Sequence, residues 1–304
     1  MARRKPARKK RGKKSLILWF FLFLLVLCSI GATVYLVFLR PGTIKPLSPP
    51  LTSVPKKKPA GIPEKPAVPP PPVTIAPDKE TQKAARLPLL SIIIDDMGFN
   101  DKICADLIAL DLNLSFAFLP FGPNTATQLA LAQRKNRDIL LHLPMQPQDS
   151  KWTPGPGTLL TSMSSREIQS TLARDIAAVP HAIGVNNHMG SSFTENRAAM
   201  QACLALLKEH NLFFLDSLTS ARSVGFSMAK EMGLRTAQRD IFIDNSQDPQ
   251  EVMKQLDALI NLARKRGSAI GIGHPHQATL DALRKYQAKL QEQMQLVGVS
   301  RLAK

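Results

Sequence analysis

Hydrophobic positions fall along this 304-residue chain in two textures. Residues 16–39 (LILWFFLFLLVLCSIGATVYLVFL) form one unbroken apolar run without a charge. From residue 89 onward, short apolar runs alternate with stretches whose apolar residues recur at helical spacing. The runs 89–94, 114–120, 138–144, 212–217, 239–245 and 268–274 read as strands and 182–190 as a strand passing into a loop, with a shorter eighth strand at 295–302. The stretches 101–110, 124–136, 164–179, 195–210, 226–233, 249–267 and 278–294 read as helices. Asn124 is an expected N-cap, Ser164 and Glu167 form a capping-box pair, and Gly233 and Gly267 mark helix ends. Alternating strand and helix predicts a parallel sheet covered by helices. Seven or eight repeats within 89–304 predict an α/β domain of the distorted (β/α)7-barrel type, with a doubly wound open sheet as the alternative.

The apolar run changes the picture of the whole chain. At 1.5 Å per residue it makes roughly 36 Å of helix, enough to cross a bilayer. A cleaved signal peptide would have an apolar core of ~7–15 residues and a small-residue cleavage site. This run is longer and ends in Leu39-Arg40-Pro41. Residues 1–14 carry nine Lys/Arg and no acid, which predicts a cytoplasmic basic tail touching anionic lipid. The expected organisation is therefore a tail (1–14), one transmembrane anchor (15–40), a linker (41–88) and a domain (89–304). The linker holds 14 prolines, including Pro69 to Pro72 in a row, and reads as a disordered, extended stalk. The expected location is a single inner-membrane pass with the domain in the periplasm or otherwise outside the cytoplasm.

Charge follows the same division. Residues 1–88 hold 18 Lys+Arg against three acids, whereas 89–304 hold 22 against 20. The net charge of +17 thus sits outside the folded part, and a nucleic-acid-binding domain is disfavoured. Of three cysteines, Cys28 lies in the apolar run, while Cys104 and Cys203 sit inside expected helices and read as buried free thiols. No GxGxxG after the first strand, GxxxxGK[ST], GxSxG or HExxH occurs, so nucleotide, redox-cofactor and serine-hydrolase chemistry lack their usual residues.

In a parallel β/α domain, residues just past the strands' carboxyl ends converge on one face. Those positions hold Asp95-Asp96, His142, Asn186-Asn187-His188, Asp216-Ser217, Asp244-Asn245 and His274-Pro275-His276. His181 and His210 precede strands and are expected on the surface. Adjacent carboxylates repel unless a cation or proton lies between them. A carboxylate pair converging with several imidazoles suits a divalent ion, Zn²⁺ or another first-row metal, with a second carboxylate free to act as base and a histidine as acid.

The segments IIIDDMG, LHLPMQP, GVNNHMGSSFT, FLDSLTS and IGIGHPH, in that order, resemble the divergent polysaccharide deacetylase family across essentially all of 89–304. The resemblance implies a distorted (β/α)7 barrel, Asp95 as base, Asp96 and His142 as metal ligands and His274 as acid. The wider superfamily places two histidines one helical turn apart in its second motif. Here only His142 is present, and His188 is inferred as the third ligand. Asn187, Asp216 and Trp152 are the candidate substrate-binding residues, Asp216 being also the alternative ligand. The implied function is removal of N- or O-acyl groups from an envelope polysaccharide. The alternative is a non-catalytic glycan-binding or envelope-assembly protein that keeps the fold.

Overall fold

The computed structural model describes residues 87–304. The basic tail, the apolar run and the proline-rich linker up to residue 86 lie outside the described residues. Among the described residues, no helix is long and apolar enough to cross a membrane.

The domain alternates β1 (Leu89–Met97), α1 (Asp101–Ala109), β2 (Ser115–Phe118), α2 (Thr125–Arg134), β3 (Ile139–Met145), α3 (Ser165–Ala178), β4 (Gly184–Met189), α4 (Arg197–Glu209), β5 (Phe213–Asp216) and α5 (Gly225–Glu231). It continues through β6 (Thr236–Gln238), β7 (Ile241–Phe242), α6 (Pro249–Arg266), β8 (Ser268–Gly273), α7 (Gln277–Gln293) and β9 (Gln295–Leu296). Local signals explain several boundaries. Ser164 and Glu167 form the expected capping box on α3. Gly267 ends α6 in the left-handed region at φ 84°, where a side chain would be strained. Asn124 precedes α2 but does not cap it through its side chain; its amide donates to the Phe99 carbonyl instead, tying two loops together.

Every strand pairing is parallel, in the order β6-β5-β4-β3-β2-β1-β8-β7, with β9 beside the start of β1. The two edge strands are consecutive in the chain: β6 ends at Gln238 and β7 begins at Ile241. Three Cα–Cα steps span at most about 11 Å, so the sheet curls until its edges meet. An open doubly wound sheet would hold those edges far apart. The curled sheet fits a (β/α)7-type barrel, with the β6–β7 segment filling one of seven positions. The strand expected at 239–245 is thus two short pieces at 236–238 and 241–242. The reason is a change of partner: the Arg239 amide still donates to Asp216 of β5, whereas the Asp240 amide donates to Ile270 of β8.

Side chains inside the curl are Ile93, Ala117, Leu140, Phe213, Leu215, Ala237, Ile270 and Ile272, one small buried cluster. Val299 and Ala303 join it from the C-terminal tail. That tail was expected as an eighth strand at 295–302. It pairs only at Gln295–Leu296 and then turns under the sheet, its Val299 amide donating to Ser115 and Lys304 exchanging backbone bonds with Thr236. A larger cluster fills the space between sheet and helices and includes the buried Cys104 and Cys203. Burying each large aliphatic side chain contributes about 1.5–3 kcal/mol, so these two layers hold the strand ends at fixed spacing.

Candidate metal and acid-base site

Asp95 and Asp96 are neighbours on β1, and strand alternation would aim them to opposite faces. The backbone removes that conflict. The β1–β2 register slips between Ile94 and Met97, and Asp96 takes the left-handed conformation at φ 53°. An aspartate tolerates that conformation at roughly 1–2 kcal/mol. Both carboxylates consequently line one cleft at the carboxyl ends of the strands.

Three donor atoms face one another there. Asp96 Oδ1 lies 3.2 Å from His142 Nε2 and 2.9 Å from His188 Nδ1. The two ring nitrogens are 3.1 Å apart. Ligands about 2.0–2.1 Å from a tetrahedral ion sit about 3.3 Å from each other, so the triangle matches the spacing one ion imposes. The tautomers agree with this. Asn186 donates its amide to both oxygens of Asp95 (2.8 and 3.0 Å), and its carbonyl accepts the Nδ1 proton of His142 at 3.0 Å. His142 Nε2 is then left with its lone pair toward Asp96. A lone pair and a carboxylate oxygen in contact call for a positive charge between them, a proton or a metal ion.

The ionisation tendencies point the same way. Burial alone would raise the Asp96 pKa, yet contacts with His142 and His188 hold it well below the usual carboxylate range. Burial would depress His142, but Asp95 and Asp96 outweigh it and raise its pKa. Asp95 is enclosed enough that burial, opposed by His142 and His274, raises its pKa. The residues present therefore fit a divalent ion, with Asp96, His142 and His188 as the side chains that would hold it.

His274 stands across the cleft, at the end of β8 and beside β1. Its Nδ1 lies 2.9 Å from Asp244 Oδ1, while Asp244 Oδ2 accepts the His274 amide and the Thr279 hydroxyl. Burial opposes protonation of His274, but Asp244 outweighs it and lifts the pKa to about 9. His276 lies close enough for Asp244, His274 and His276 to be a second set of potential ligands. Asp244 is already held by three donors, the His274 amide, the His274 ring and the Thr279 hydroxyl. The glycines of IGIGHPH face outward: Cβ atoms at Gly271 and Gly273 would press on Leu259 of α6 and on Ile243. They allow close packing against the sheet and open no space for substrate.

The remaining expected residues have varied fates. Asn187 lines the cleft, but its amide is engaged by Met189, Thr219 and Ser217. Asp216 is fully buried, and its oxygens accept the Leu218 amide, the Ser223 hydroxyl and the Phe226 amide. It shapes the loop into α5 and does not line the cleft. Trp152 is 64% exposed and also lies outside the cleft lining. His181 and His210 are exposed, as expected. Asn186, Ser217 and Asp244 stood among the strand-end polar residues but were given no role, and Phe242 was not picked out from sequence. For Asn186 the signal was available: it shares the strand face of His188, two residues away. For Phe242 it was not, because the register of its two-residue strand has no periodicity to read. The cleft holds about 270 Å³, with Phe242 as its aromatic wall.

Comparison with known proteins places this geometry. Residues 92–303 match the family described as divergent polysaccharide deacetylase. A similar protein, an uncharacterized protein of Haemophilus influenzae, is 39% identical over 213 residues, covering 70% of this chain and 76% of that protein. The uncharacterized protein YibQ of Escherichia coli is 37% identical over 213 residues, covering 70% of this chain and 66% of its own length. Among solved structures, an uncharacterized protein from Agrobacterium tumefaciens C58 superposes with a TM-score of 0.69 at 26% identity, covering 72% of this chain and 90% of that one. The motif order, the curled parallel sheet and the match across the domain lead to one assignment: the chain belongs to the divergent polysaccharide deacetylase family.

Proposed function

We propose that the chain is a membrane-anchored, envelope-facing hydrolase that removes N- or O-acyl groups from a polysaccharide and uses a divalent metal, Zn²⁺ first among candidates. The observation that carries this reading is the triangle of Asp96, His142 and His188 set between a buried carboxylate, Asp95, and the His274–Asp244 pair. When bound, a divalent ion supplies Lewis-acid polarisation of the acyl carbonyl and acidification of water.

The chain's own residues divide the proton transfers. Asp95, oriented by Asn186, accepts a proton from the attacking water. His274, protonated at neutral pH through Asp244, donates a proton to the departing amine or hydroxyl. A cleft of about 270 Å³ accommodates an acyl group and part of one sugar, which leaves the polymer to run across the mouth. The basic tail and the charge-free run at 16–39 support the anchored topology.

The test is acetate release by the purified full chain from N- and O-acetylated glycans. Asp95→Asn and His274→Ala should each lower kcat by ~10²–10⁴ with metal retained. Full activity in both variants would overturn the mechanism. A wild type that binds glycan and releases no acyl group would be the glycan-binding protein instead.

A further inference from the structure

The ring of strands has a seam between the β5–β6 edge and the β7–β8 edge, and the Arg239 side chain reaches across it. Arg239 Nε donates to the Ser217 carbonyl at 2.7 Å, and Nη2 donates to the Leu218 carbonyl at 3.0 Å. Successive carbonyls on a regular strand point to opposite sides. Leu218 is in the left-handed conformation at φ 50°, which breaks that alternation and brings both oxygens onto one guanidinium. On its other side the guanidinium lies 3.7 Å from the centroid of the Phe242 ring. Phe242 in turn stacks on His274, with centroids 5.9 Å apart and an interplanar angle of 28°.

We infer that Arg239 is a positioning residue: pinned at the end of β5, it presses Phe242 against His274 and fixes the tilt of the acid's imidazole. Asp244 anchors Nδ1 and leaves the ring free to swing about that bond. The Phe242 face restricts the swing. The Ser217 that receives Arg239 also accepts a hydrogen bond from Asn186, the amide that orients Asp95. Arg239 therefore ties the wall behind the acid to the support of the base. The task needs a planar fork with a flat face, which arginine has and lysine lacks.

This inference rests on the acid role of His274, and the experiment separates the two. The full chain is labelled with ¹³C-histidine, and His274→Ala assigns the signal. Arg239→Met and Phe242→Leu should both move the His274 resonance away from its position under the Phe242 ring. The exposed His210 should stay in place, and metal content should be unchanged. On a cleaved substrate, Arg239→Met should lower kcat about 10- to 100-fold with KM unchanged, and Arg239→Lys should fall between. If Arg239→Met does not fold, Arg239→Lys and Phe242→Leu carry the same readout. An unmoved His274 signal overturns the proposal whatever the activity, as does a moved signal with kcat intact. If the wild type cleaves nothing, the deacetylase reading fails, while the resonance still decides for or against Arg239.

Discussion

Asn186 serves two side chains with opposite needs. Asp95 wants donors, His142 Nδ1 wants an acceptor, and one amide supplies both. Asn186→Leu should therefore weaken metal affinity about 10- to 100-fold by freeing the His142 tautomer, as measured by competition with a chelator. Unchanged affinity would mean that the ligand is held by something else. His274 and Asp244 give a pH signature. The folded-state pKa of His274 is lifted from 6.5 to about 9, so the pair stabilises the fold fully below pH 6.5 and loses that contribution as pH rises through about 9. Denaturant unfolding of wild type and Asp244→Asn should differ most below pH 6.5 and converge above about 9. A gap that widened with alkalinity would reverse the assignment. At this scale the sequence placed Asp95, Asp96, His142, His188 and His274 toward one end of the sheet, and the structure brings all five into one cleft. Asn186 stood beside His188 in that set, but its bridging of Asp95 and His142 shows only in the hydrogen bonds.

Glycine placement explains how the elements close around the site. Inside the curl, the ring of Phe213 lies directly over Gly184, and a Cβ there would collide with it. Gly184→Ala should thus force Phe213 off its rotamer and destabilise the domain by about 1–3 kcal/mol, read from chemical denaturation. An unaffected midpoint would show that the barrel interior has slack. Long strands with buried apolar residues, such as β1 and β3, were legible from the hydrophobic pattern. The β6–β7 segment was not. Its break arises because Gln238 pairs with Asp216 while Ile241 pairs with Gly271, a choice made by distant partners rather than local pattern. The tail failed for the same reason: Val299 reads as strand, yet it is drawn beneath the sheet by the inner cluster it completes.

Across the whole molecule, charge and chemistry are segregated. Most of the net positive charge lies before residue 89, and the nearly neutral domain carries the site. An N-in, single-pass topology predicts that an enzyme reporter fused after Lys304 is active only when exported, and cytoplasmic activity would contradict it. The central claim, however, concerns the three facing donors, and metal content tests it most directly. Elemental analysis of the purified full chain, loaded with Zn²⁺ and dialysed, should find one ion per chain. Asp96→Ala, His142→Ala and His188→Ala combined should leave none, while Asp95→Asn and His274→Ala should keep it. A folded wild type that retains no metal, or a triple variant that retains it in full, would contradict the account.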